Sequence, residues 1–118
     1  MRRKDALGQY GERVAAAYLQ RQGMSIVARN WRCELGELDV IARDGAVLVI
    51  CEVKTRSSVQ CGHPLEGISE RKVRRLRRLA IRWLDVHAVH APHVRFDAIG
   101  VIQPASGPPV IEHVRGVG

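Results

Sequence analysis

Aromatic residues are scarce in this chain. Two Trp, two Tyr and one Phe make up 4% of it, so a core built on stacked rings is excluded and the interior must come from Val, Ile, Leu and Ala. Paired cysteine motifs are missing. Cys33, Cys51 and Cys61 form an odd set without C-x-x-C spacing, which argues against a disulfide framework or a thiolate zinc site and for free thiols in a reducing compartment. Cys51 reads as a small hydrophobe within a strand. Long apolar runs are lacking too. The longest, Ala46 to Cys51, falls far short of the roughly 20 residues that a membrane-spanning helix requires. Met1-Arg2-Arg3-Lys4 carries the charge of a signal-peptide start, but no apolar stretch follows it. No membrane partner is expected, and a cytoplasmic location is. Lysine is rare as well, with three residues against 16 arginines.

What is present fits one domain over residues 1–118. A chain of 118 residues can bury about two-thirds of its unfolded surface in a single core, and 46% apolar content excludes disorder. The net charge is +7, and its location matters more than its size. Residues 71–82 hold Arg71, Lys72, Arg74, Arg75, Arg77, Arg78 and Arg82 and no acid, while the other 12 basic residues equal the 12 acids in number. The whole excess lies in one segment.

Periodicity orders the chain. Leu7, Tyr10, Gly11, Val14, Ala15 and Tyr18 recur at helical spacing over Leu7 to about Gln22, with Gly23 as a stop. Met24–Asn30 is a short strand. Leu38–Arg43 and Ala46–Lys54 form a hairpin around Asp44-Gly45. After a polar loop, a second helix runs from about Pro64 or Ser69 to His87, its apolar stripe being Val73, Leu76, Ala80, Trp83, Leu84 and His87. Ala91-Pro92 closes that segment. Val94–Ile102 is a strand, and Val110–Val114 a final edge strand. The order α-β-β-β-α-β-β predicts an α/β sandwich: a central mixed sheet with a helix on each side.

Two short segments carry the chemistry: Gly36-Glu37-Leu38-Asp39 and Glu52-Val53-Lys54-Thr55-Arg56. Alternation sets Leu48, Ile50, Glu52 and Lys54 on one strand face and Val47, Val49, Cys51 and Val53 on the other. Glu52 and Lys54 then stand about 7 Å apart, closing an otherwise apolar strand. An acid from each of two paired strands beside a lysine is the set that metal-assisted phosphodiester hydrolysis requires. The acids hold a hard cation, and the ammonium orients water or stabilises developing charge. A lone acid-x-lysine tripeptide says little; its order after a paired acidic strand says more.

Other groups admit plainer roles. Arg71, Arg75, Arg78 and Arg82 recur at i, i+4, i+7 and i+11 with Arg74 alongside, opposite the apolar stripe. Such like-charge neighbours cost a helix about 0.2–0.5 kcal/mol per pair, which a polyanion along that face would relieve; the plainer reading is a solvated face in an arginine-preferring chain. Glu12, at the flank of the first helix's apolar stripe, reads by itself as a solvated acid. It gains meaning only if that flank meets Asp39 and Glu52. His87, His90 and His93 surround a helix end that Pro92 interrupts, and a metal cluster there is disfavoured. Asp97 faces inward with Ile99 and Val101 and predicts a structural pair with an arginine or lysine.

Taken together, Gly11-Glu12 with Ala15-Ala16, Arg29-Asn30, Gly36-Glu37-Leu38-Asp39-Val40-Ile41-Ala42, Glu52-Val53-Lys54-Thr55-Arg56, Pro64-Leu65-Glu66, Lys72, Trp83-Leu84 and Arg95-Phe96-Asp97 resemble the bacterial YraN family over nearly the whole chain. That family looks like a branch of the PD-(D/E)XK nuclease superfamily, similar in pattern to archaeal Holliday-junction resolvases. The resemblance implies a restriction-endonuclease-like sandwich, with Asp39 and Glu52 binding metal, Lys54 as catalytic lysine and Glu12 as the outer acid. Cys61-Gly62 stands where family members often have Phe-Gly.

The expectation is a Mg²⁺- or Mn²⁺-dependent endonuclease-like protein acting on structured or branched DNA. Asp39, Glu52 and the carbonyl of Val53 would hold the metal, and Glu12 and Lys54 would complete the catalytic set. Arg56, Arg71, Arg74, Arg75, Arg78 and Arg82 would bind nucleic acid. Two alternatives stand beside it: a non-cutting nucleic-acid-binding module on the same fold, and an adaptor whose basic helix meets an acidic protein. A homodimer is one admissible assembly.

Overall fold

The computed structural model describes residues 5–58, 65 and 68–117. The expectations placed on Met1 to Lys4, Cys61-Gly62, Pro64 and Glu66 lie outside them. Seven elements follow one another: α1 (Ala6–Arg21), β1 (Ser25–Cys33), β2 (Gly36–Asp44), β3 (Val47–Arg56), α2 (Glu70–Val86), β4 (His93–Ile102) and β5 (Val110–Val114). The strands form one sheet in the order β1-β2-β3-β4-β5. Three neighbouring pairs are antiparallel and β3–β4 is parallel, so the sheet is mixed. It is the predicted architecture, compatible with a restriction-endonuclease-like sandwich.

Local chemistry sets the boundaries. Asp5 caps α1 by accepting the Gly8 N–H at 2.7 Å, and Ser69 caps α2 by accepting the Lys72 N–H at 3.1 Å. Ser69 is therefore where α2 begins, and His87 is its C-cap, ahead of Pro92. The β2–β3 hairpin turns at Gly45-Ala46. A positive φ at Gly45 and none at Ala46 is the pattern of a type II′ turn, whose twist suits a hairpin. β1 runs three residues beyond the expected Asn30, to Cys33, held by pairing of Trp31, Arg32 and Cys33 with Leu38, Glu37 and Gly36.

Each sheet face has its own core. Val49, Cys51 and Val53 pack with Ala15 and Leu19 of α1, while Leu48 and Ile50 pack with Leu76, Leu79, Ala80 and Trp83 of α2. β3 is thus buried on both faces, as a strand with a parallel neighbour should be, and its alternation is the one predicted. Cys51 is buried in its strand; burial first, then the nearby carboxylates of Asp97, Asp39 and Glu52, push its thiol pKa well up, which leaves it inert. Asp97 is fully buried and paired with Arg95 at 2.8 Å, the structural role expected of it. His113 Nε2 and the Gly116 N–H also reach it, at 2.8 and 3.1 Å. His87 is only partly in the stripe assigned to it. Its ring stacks on Trp83 at 4.6 Å while Leu79 takes the buried position.

Candidate functional site

The hairpin opens into a fork. β2 and β3 pair from Asp44↔Val47 to Val40↔Cys51, whereas β2 stays paired with β1 down to Gly36. Alternation also slips there, since Leu38 packs in the α2-side core and Val40 in the α1-side core. At this slip the Asp39 carboxylate crosses the gap and accepts the Val53 N–H at 2.9 Å. A side chain thus replaces the missing ladder partner, and Asp39 is anchored beside Glu52.

Gly11 brings α1 to the same fork. A Cβ at this position would lie 1.9 Å from Thr55 Oγ1, so the helix can approach β3 only because residue 11 lacks a side chain. The next residue, Glu12, is carried into the interior and is 2% exposed. The solvated-acid reading of Glu12 is overturned: helix packing, invisible in the spacing of one helix, turns that flank inward. Oxygens of Glu12, Glu37 and Asp39 lie within 4.8 Å of one another.

Glu52 faces the other layer. Its Oε1 is 3.2 Å from Lys72 Nζ on α2. Lys54 lies beside it, partly buried; burial and then the Lys72 ammonium draw its pKa below the ordinary lysine range, against the opposing pull of Glu52. Glu12, Asp39, Glu52, Val53, Lys54, Arg56 and Arg75 all line one cleft of about 1000 Å³. The four residues expected to be catalytic are therefore brought together.

Two neighbours escaped the sequence reading of the site. Glu37 stands opposite Arg32 in the β1–β2 register and is ion-paired with it; its signal was the two-residue step to Asp39. Lys72 was visible as one cation in a basic run and as one of the residues carrying the family resemblance, with no role at the site. The arginines divide. Arg71, Arg75 and Arg78 are exposed on α2, and Arg75 reaches the cleft. Arg82 instead bonds to Glu34 from the β1–β2 turn, and Arg74 lies 4.0 Å from Glu70. The acid-free face of the sequence is thus partly neutralised by acids from outside the segment.

The comparisons with known proteins agree with one another. The family model described as "Uncharacterised protein family UPF0102" matches residues 11–101. A UPF0102 protein of Beutenbergia cavernae is 55% identical over 118 residues, covering 100% of both chains. The chain belongs to the UPF0102 family. A UPF0102 relative from Frankia alni is 55% identical over 117 residues, covering 98% of this chain and 97% of its own. Another from a Nocardioides species is 53% identical over 115 residues, covering 98% and 93%. This UPF0102 chain thus has the YraN-like relationship expected from its motifs, and the matched span holds both segments that build the fork. Among the described residues no helix is long and apolar enough to cross a membrane.

Proposed function

We propose that this UPF0102 member is a divalent-metal-dependent phosphodiesterase acting on nucleic acid, with structured or branched DNA as its substrate class. The observation that carries the reading is the convergence of Glu12, Asp39, Glu52 and Lys54 at the β2–β3 fork, in a cleft continuous with an arginine-bearing helix. The donor set fits a hard cation: oxygens of Asp39, Glu12 and Glu37 gather within 4.8 Å of one another, and Glu52 lines the same cleft. Asp39 and Glu52 would hold Mg²⁺ or Mn²⁺ with the Val53 carbonyl, and Glu12 would bound the site on the α1 side. When bound, the cation would supply Lewis-acid polarisation and lower the pKa of water.

The protein's own groups do the rest. Lys54, its pKa already drawn down, sits where an ammonium can orient the attacking water or share the charge that develops on the phosphoryl oxygens. Arg75 and Arg56, at the cleft, and Arg71 and Arg78 beyond it, grip flanking phosphates. A second reading, a binding module that does not cut, draws support from the Lys72–Glu52 and Arg32–Glu37 ion pairs, which neutralise two of the acids within the chain.

The deciding experiment is cleavage of labelled Holliday junctions, flaps and single strands in Mg²⁺ and Mn²⁺, with binding measured in Ca²⁺. Cutting by the native protein, lost in Glu52→Gln and in Lys54→Ala with binding retained, is the expected result. Binding without cutting of any substrate would select the module. Cutting that survives both changes would remove the fork from the chemistry.

A further inference from the structure

The metal-site reading leaves Lys72 unused, although its ammonium is the group nearest to Glu52 from the α2 layer, at 3.2 Å. Three features mark this lysine out. Its backbone N–H is held by the Ser69 cap in the first turn of α2, where a cation is disfavoured by the helix dipole. Its partner carboxylate is 8% exposed and the lysine side chain 27%, so the pair is shielded from solvent more than a surface ion pair is. Finally, the chain has 16 arginines and three lysines, and two of those lysines, Lys54 and Lys72, line this one cleft. Arginine would form the stronger, forked bond to a carboxylate, whereas an ammonium is a compact charge that exchanges partners readily.

We infer that Lys72 is the resident counter-cation of Glu52 and competes with a divalent ion for that carboxylate. Without metal, Lys72 satisfies the charge that Glu52 would otherwise hold inside the fold. With metal present, its ammonium gives up Glu52 and turns to the phosphate of a bound nucleic acid. Lys72 is in this sense a positioning residue: it holds the Glu52 carboxylate in place until the site is loaded. The inference rests on the proposed metal site, and it sets the direction of a change that a merely structural lysine would not produce. A unit charge about 6 Å from a divalent ion weakens its binding roughly tenfold even at the dielectric constant of water.

The test is Mn²⁺ titration by isothermal calorimetry of the native protein, Lys72→Met, Lys72→Arg and Asp39→Asn, without nucleic acid. The expected result is native binding, loss of it in Asp39→Asn, binding about tenfold tighter in Lys72→Met, and binding no tighter than native in Lys72→Arg, which keeps the charge. If Lys72→Met lacks the native far-ultraviolet circular dichroism, Lys72→Gln decides with the same expected direction. Unchanged or weaker binding in the neutral variant, with Asp39→Asn still inactive in binding, would overturn the role of Lys72 and leave the metal site standing. Equal tightening in Lys72→Arg would overturn it too, since charge would not be the cause. No binding by the native protein, or native-like binding by Asp39→Asn, would overturn the metal site and this inference together.

Discussion

Asp39 does two separable things, and two substitutions separate them. Its carboxylate accepts the Val53 N–H at 2.9 Å, and its charge sits with Glu12 and Glu37, their oxygens within 4.8 Å of each other. Asp39→Asn keeps an oxygen for the Val53 N–H and removes the charge; Asp39→Ala removes both. At 4.8 Å one pair of like charges repels by roughly 1 kcal/mol with the dielectric of water and about 3 kcal/mol at an effective constant of 20. Arg32, paired with Glu37, offsets part of this, and an amide accepts a weaker bond than a carboxylate does. The metal-free Asp39→Asn protein should therefore be as stable as the native one or more stable by about 1 kcal/mol. Asp39→Ala, leaving a buried N–H without its acceptor, should lose about 1–3 kcal/mol. Urea unfolding in EDTA measures both, and melting with Mn²⁺ at 100 times its dissociation constant should stabilise only the native protein, by about 2.7 kcal/mol. Asp39→Asn falling as far as Asp39→Ala would refute the repulsion argument, and an Mn²⁺ response that survives Asp39→Asn would place the cation elsewhere.

Arg75→Glu with Arg78→Glu should abolish most nucleic-acid binding at low salt without loss of stability, both side chains being exposed, and should flatten the salt dependence of whatever binding remains; fluorescence anisotropy on duplex and branched DNA at two salt concentrations checks it. Gly11→Ala must move α1 off Thr55 and should cost about 1–3 kcal/mol by chemical denaturation, taking Glu12 out of the cleft. Burial raises the pKa of Asp97, but hydrogen bonds from Arg95, His113 and the Gly116 N–H outweigh it and hold the carboxyl below its ordinary 3.8. The group thus binds fewer protons when folded than when unfolded, so its contribution is present above about pH 4 and is lost as acid brings the pH down through the folded value. Denaturation midpoints from pH 6 to pH 2 should show an acid-side loss in the native protein that is smaller in Asp97→Asn.

The strands were legible because their alternation is a local property: Leu48, Ile50, Glu52 and Lys54 share a face whatever they pack against. That Asp39 and Glu52 come to the same end of the hairpin was legible for the same reason, since a tight turn fixes which strand ends lie together, though the fork that parts them there was not. Glu12 was not legible by itself. Its burial depends on how closely α1 can lie on β3, which is decided by the missing Cβ of Gly11 and by Thr55, 44 positions away in the sequence. The charge of α2 misled in the opposite way. Seven cations without an acid read as a bare face, but Arg82 finds Glu34 across a separation of 48 residues, and ion pairs of that kind leave no periodic trace. Lys72 was hidden by its own neighbours, since a helical basic run does not tell which cation turns toward a carboxylate on the sheet. The slip at Asp39 was equally out of reach, because it appears only when Leu38 and Val40 are seen to enter different cores.

The fork has a mechanical consequence. Glu12 comes from the layer on one side of the sheet and Lys72 from the layer on the other, so the ends of the inner strands β2 and β3 lie in the cleft itself. The two cores touch separate helices and could open independently of each other, as sub-global units often do. A ligand seated in the fork would bridge them at their shared margin. Its binding energy would act as a clasp, joining two folding units into one, and slowed amide hydrogen exchange would then extend along both α1 and α2 rather than remaining at the strand ends where the contact is made.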